Sequence, residues 1–208
     1  MLHKTITTFL LAMLLSFIAC SDSPRAGAGR EEQIAAREKL EQSDIQYDSL
    51  QFIKAATRGD VHIVELFLDA GMNPDVTDRK AGREPALWHA ANNGRIEVME
   101  LLLDRGADLD ARQNFGYTVL MKVAFNCQAD VAEFLLKRGT DPNIKDESGR
   151  TPLMLAAGLG GTEVVRLLLD KGVDVNAMDE NGKTALMYAA KEGRTENVQL
   201  LEQAGAEG

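Results

Sequence analysis

Residue types that carry most catalytic and cross-linking chemistry are scarce in this chain of 208 residues. It has two cysteines, Cys20 and Cys127, three histidines, His3, His62 and His89, and an aromatic content of 5%. Two cysteines cannot build a disulfide framework. No GxSxG, HExxH, Walker loop or paired CxxC occurs, and no nucleophile, base and stabiliser can be assembled from what remains. The expectation is a protein that is not an enzyme, with no catalytic residue, no metal ligand and no cofactor. Positive charge is also short: 23 Lys and Arg stand against 32 Asp and Glu, a net charge of −9. A phosphate backbone would be repelled by that balance, so no nucleic-acid partner is expected. At 45% hydrophobic and 26% charged residues the chain is neither collagen-like nor a disordered tail.

Long apolar runs are missing too, except for one near the start, from Ile6 to Ala19. As a helix these 14 residues would measure about 21 Å, short of the roughly 30 Å of a bilayer core. After the polar start with Lys4, the run reads as a signal peptide over residues 1–19. Its end, Phe17, Ile18, Ala19 and Cys20, resembles a bacterial lipobox, in which the signal is cut before a cysteine that is then lipidated. The resemblance implies a periplasm-facing protein anchored through lipid on Cys20, with Ser21 pointing to the outer membrane and Asp22 weakening that address. An ordinary cleaved signal and a free periplasmic protein is the alternative.

Residues 21–30, SDSPRAGAGR, have the composition of a flexible tether. From Glu31 to Gln42 strong helix formers follow, with Ile34 and Leu40 as the only sizeable apolar residues. This predicts a helix that is polar nearly all round, which either packs weakly on the first repeat or, as the favoured reading, is a solvated spacer. Residues 20–47 thus form a lipidated cysteine, tether and polar helix ahead of the folded domain, residues 48–208.

That domain is periodic. Ala56, Ala91, Ala124, Ala157 and Ala190 are separated by 35, 33, 33 and 33 residues. Three residues beyond each come Gly59, Gly94, Cys127, Gly160 and Gly193, and an apolar triplet and a further glycine close each copy. A fixed period of this length is a repeat architecture. The fourth copy, GRTPLMLAAGLGGTEVVRLLLDKGVDVNA, is the fullest. Thr151 is placed to cap a first helix, with Pro152 supplying a preset φ at its first position. Leu153, Ala156 and Ala157 permit close helix packing, Gly160 a sharp turn, and Val164, Leu167 and Leu168 a face toward the next copy.

These copies resemble ankyrin repeats. The resemblance implies an all-α solenoid of five helix-turn-helix units with protruding β-turn loops and terminal units capping, whose partner is a protein rather than a nucleic acid and which is a monomer. In the last copy Gln199, Glu202 and Gln203 make the polar outer face that a terminal unit needs. The first copy starts from Asp48 and Ser49. The second departs from the pattern, with Pro85 in place of the capping threonine and two extra residues within 78–85. That junction is expected to be the weakest. Trp88, Met121, Met154 and Met187 replace the family's histidine, so apolar packing is expected in place of hydrogen bonds between loops. The methionine series is core packing rather than a copper site, because equivalent positions on packed helices lie roughly 8 to 10 Å apart. Cys127 replaces a turn glycine, and no neighbouring basic residue in sequence would lower its pKa.

The family's binding surface comprises loop tips and the exposed side of the first helices. Matched copy by copy, it selects Arg112, Asn114, Phe115, Tyr117, Phe125 and Asn126 in the third unit, with Arg150, Leu159, Lys183 and Lys191 from the mixed charged rim beyond. Exposed aromatics on so aromatic-poor a chain would be interface anchors. The alternative is that Phe115 and Tyr117 fold back on neighbouring loops. The resulting expectation is a non-catalytic module that binds another protein, as an inhibitor or immunity protein or as an envelope adaptor. A redox or stress sensor using Cys127 is the alternative.

Overall fold

The computed structural model describes residues 24–81 and 83–207; the signal peptide and Cys20 lie outside them. Eleven α-helices and no strand occur among the described residues. Helix α1 spans Pro24–Gln42, and five helix pairs follow. These are α2 (Ser49–Arg58) with α3 (Val61–Asp69), α4 (Ala86–Asn92) with α5 (Ile96–Asp104), and α6 (Val119–Phe125) with α7 (Ala129–Arg138). The last two are α8 (Pro152–Leu159) with α9 (Thr162–Asp170), and α10 (Ala185–Lys191) with α11 (Thr195–Gln203).

The helix starts follow from their caps. Asp48 accepts the amide of Gln51 at 2.8 Å. Thr118, Thr151 and Thr184 each accept the amide three residues on at 3.3 Å. Pro85 caps nothing with its side chain. Second helices open on Glu97, Asp130, Glu163 or Glu196 in the first turn, where the helix dipole favours a carboxylate.

First helices pack on first helices and second on second, giving two layers with one continuous core between them. The alanines of the first four pairs are fully buried because only a small side chain fits where two helices meet this closely, and Ala190 on the last pair is exposed. Val164 and Leu168 face the next pair with no exposure, as the periodicity requires. At the far end Gln199, Glu202 and Gln203 are exposed.

Three expectations need correction. The polar segment ahead of the repeats is not a solvated spacer: α1, which reaches back to Pro24 within the expected tether, packs on α3. Ala36 and Leu40, four residues apart, place one narrow apolar face in the core. Arg37 donates to the Ala70 carbonyl at 3.3 Å and lies over the Tyr47 ring, which stacks on Phe67. Second, the extra residues at 78–85 do not loosen their junction. They are taken up by a 3-10 turn at Arg79–Ala81 and a bridge between Thr77 and Pro85, and α2 packs closely on α4. The thinnest packing lies one pair further, between α4/α5 and α6/α7, where the bulky Trp88 stands at the seam.

Third, the loops are not held by apolar packing alone. Met121 and Met154 are buried, and the Met154 sulfur accepts the Thr151 amide at 3.4 Å, but Met187 is exposed on the last pair. Polar bonds tie the loops instead. The Arg150 guanidinium donates to Asp146 at 2.8 Å and to the Tyr117 hydroxyl, one loop away, at 3.1 Å. Backbone amides of Glu147 and Glu180 donate to Phe115 and Ser148 at 2.9 and 3.0 Å, linking successive loops.

Candidate functional site

The protruding loops at residues 113–117, 146–150 and 179–183 share one backbone turn. In each, the amide of the first residue donates to the carbonyl of the last, and a glycine at Gly116, Gly149 or Gly182 takes positive φ. Two loops brace that turn with an aspartate. Asp146 accepts the amides of Ser148 and Arg150, both at 2.9 Å, and Asp179 those of Asn181 and Lys183 at 2.8 and 2.9 Å. In the loop at 113–117, which belongs to the third repeat, the residue is Gln113, whose extra methylene puts its oxygen out of register for this motif. Phe115 there adopts φ +61, left-handed backbone rare for a bulky side chain, with its ring 73% exposed.

This ring forms one wall of a groove of about 280 Å³ between the second and third loops. Phe125, at the end of α6 and 47% exposed, lies in the same groove with Trp88, Tyr117, Lys122 and Glu84. The Lys122 ammonium stands 5.7 Å from the centre of the Phe125 ring. Glu84 lies 3.6 Å from the His89 imidazole. Of the residues selected from the sequence, Asn114, Phe115, Tyr117 and Phe125 are thus brought together. Lys122, Glu84, Gln113 and Trp88 were not selected, although Lys122 sits one helical turn before Phe125 and shares its face.

The other selected residues are dispersed. Asn126 is exposed and donates to Asn92 and Gln128 at 3.0 and 3.3 Å. Arg112 reaches the Lys145 carbonyl at 3.2 Å on the next loop. Arg150 differs from the free rim charge expected, because it is committed to Asp146 and Tyr117. Leu159, Lys183 and Lys191 are exposed further along the same side. Phe115 and Tyr117 therefore divide: the tyrosine folds back onto its neighbour and the phenylalanine does not.

Burial raises the Tyr117 phenol above its ordinary pKa, against the lowering effect of Arg150. Cys127 is exposed, in left-handed backbone at φ +56. Burial also raises its thiol, outweighing Arg194, a basic neighbour that the sequence did not reveal. This is the opposite of an activated thiolate. Its sulfur packs against Gly161, where the neighbouring pairs carry Gln128 and Arg194. Those side chains donate to carbonyls of the preceding first helix, Asn92 at 3.2 Å and Gly158 at 3.1 Å. Among the described residues no group of His, Cys, Asp or Glu is arranged to hold a metal ion. No helix among them is long and apolar enough to cross a membrane.

The sequence profile described as ankyrin repeats (3 copies) matches residues 52–146 and again 138–208. The chain belongs to the ankyrin-repeat family. No curated protein matches it in sequence. Membership agrees with the stacked helix pairs and marks a protein-protein interaction module.

Proposed function

We propose that this ankyrin protein is a five-repeat adaptor or inhibitor of the bacterial envelope, held to the membrane by lipid on Cys20 and binding another protein through its loop and first-helix side. The observation that carries the binding face is the groove between the second and third loops. There Phe115 and Phe125 stay exposed in a chain with few aromatics, and Phe115 does so in costly backbone. The lipobox-like Phe17 to Cys20 supports the envelope address and the periplasmic side of it.

Affinity capture from envelope extract tests this, comparing the native chain with the Phe115→Ala/Phe125→Ala variant. A partner retained by the native chain and lost with the variant, while helicity and melting temperature stay unchanged, is the expected result. A partner held equally by both would place binding elsewhere. Metabolic labelling with a fatty acid checks the anchor, since Cys20→Ser should abolish incorporation. A toxin as captured partner makes the protein an inhibitor; a resident envelope protein makes it an adaptor.

A further inference from the structure

Charge is segregated between the two layers of this acidic protein. Loops and first helices, residues 48–60, 78–95, 111–128, 144–161 and 177–194, hold 13 Lys and Arg against 9 Asp and Glu. Second helices with their following turns, residues 61–77, 96–110, 129–143, 162–176 and 195–207, hold 5 against 17. Four of the five cations on the second-helix side, all but Lys171, are used internally. Arg105 pairs with Asp69 and Glu65, Lys137 with Glu133, Arg138 with Asp104 and Arg166 with Glu196.

On the loop side the pattern reverses. Lys54, Arg79, Lys80, Arg83 and Lys122 enter no ion pair among the described residues. Two of the acids counted there, Asp146 and Asp179, are buried and spent on bracing their loops. Of these cations Lys122 lies in the wall of the aromatic groove, opposite the acid Glu84, and Arg79, Lys80 and Arg83 come just before Glu84 on the same loop. Arg83 also holds left-handed backbone, at φ +61, so both loops flanking the groove present a large side chain from a costly conformation.

We propose that the groove receives an acidic protein segment bearing one aromatic or large aliphatic side chain. That side chain enters between Phe115, Phe125 and Trp88, and carboxylates beside it meet Lys122 and the cations of residues 79–83. This rests on the reading of the loop side as the binding face. A nucleic acid or an anionic lipid surface fits less well. The groove is about the size of one side chain, its walls are aromatic, and 17 acids on the second-helix side repel an extended polyanion. The thin packing between the second and third pairs leaves room for an anchor to seat.

Selection of a displayed library of random twelve-residue peptides on the full chain in detergent tests the proposal. Enriched peptides should be acidic around a Trp, Phe or Leu. Their affinity should fall with salt, and by at least about tenfold in Phe115→Ala and in Lys122→Glu/Arg83→Glu. Neutral or basic winners that still depend on Phe115 would overturn the acidic partner and leave the binding face standing. Winners indifferent to both sets of substitutions, or no winners, would overturn the groove as a peptide site. Competition by single-stranded DNA or phosphatidylglycerol vesicles stronger than by the acidic peptides would assign the surface to phosphate instead.

Discussion

The Tyr188 phenol, on α10, donates a 2.7 Å hydrogen bond to the Asp179 carboxylate in the last loop. The two groups shift each other. Burial, then the bond to Asp179, pushes Tyr188 from 10.0 up to about 12. Burial alone would raise Asp179, but the bonds from Tyr188 and from the Lys183 and Asn181 amides outweigh it and hold the carboxyl below 3.8. A phenol with a raised folded pKa stabilises fully below the unfolded value and loses that contribution as pH rises through the folded one. The window for Tyr188 therefore runs from 10 to about 12. The carboxylate contributes above 3.8 and loses its contribution as pH falls through its lower folded value. Urea midpoints measured at pH 7, 10 and 11.5 should fall more steeply for the native chain than for Tyr188→Phe. Parallel falls would show that the phenol titrates normally.

Gly149 and Gly182 occupy the same place in consecutive loops at φ +76 and +72 and differ in what lies beyond them. A Cβ on Gly149 would sit 2.9 Å from the Glu180 nitrogen and 3.1 Å from the Asp179 Cα, both backbone. A Cβ on Gly182 would meet open space. Gly182→Ala should therefore cost only the left-handed strain, about 1 to 2 kcal/mol. Gly149→Ala should cost more, because the next loop must move as well. Equal losses in denaturant melts would mean that the loops are not in the stacked contact described.

Helix α1 supplies a third test, on stability. Leu40 is fully buried between α1 and the first pair. Leu40→Ala should cost about 2 to 5 kcal/mol if the cavity stays open. Hydrogen exchange should quicken first in α2 and α3, since stability in a repeat stack is a sum over neighbours. Unchanged exchange in α3 would return α1 to the role of a spacer.

The repeats were legible because their small residues are dictated locally. Ala56, Ala91, Ala124 and Ala157 and the turn glycines sit where a larger residue or an ordinary φ does not fit, so the period survives in one chain. The docking of α1 was not legible, because Ala36 and Leu40 make too narrow a stripe to stand out from Glu, Gln and Lys. The pairing of Arg150 with Tyr117 joins residues 33 apart, and it exists only once the loops stack. Four members of the groove, Asn114, Phe115, Tyr117 and Phe125, were among the residues selected from the sequence, by their place on a loop tip or on the exposed side of a first helix. Trp88 was not, because only 6% of it is exposed and its composition signal is that of core. The charge segregation was hidden by the overall negative balance, which averages two unlike layers.

Phe115 offers the clearest separation of folding from binding. Its backbone at φ +61 suits asparagine better than phenylalanine, and its ring buries little in the free protein. Phe115→Asn should therefore leave stability unchanged or raise it by up to about 1 kcal/mol. Most exposed-to-polar changes are neutral, so the informative sign is a gain. The same variant should lose the partner, because the anchor pocket loses one wall. A stability loss above about 1 kcal/mol would show that the ring packs on its own protein. Retained binding with retained stability would show that the loop conformation has a purpose other than presenting the ring.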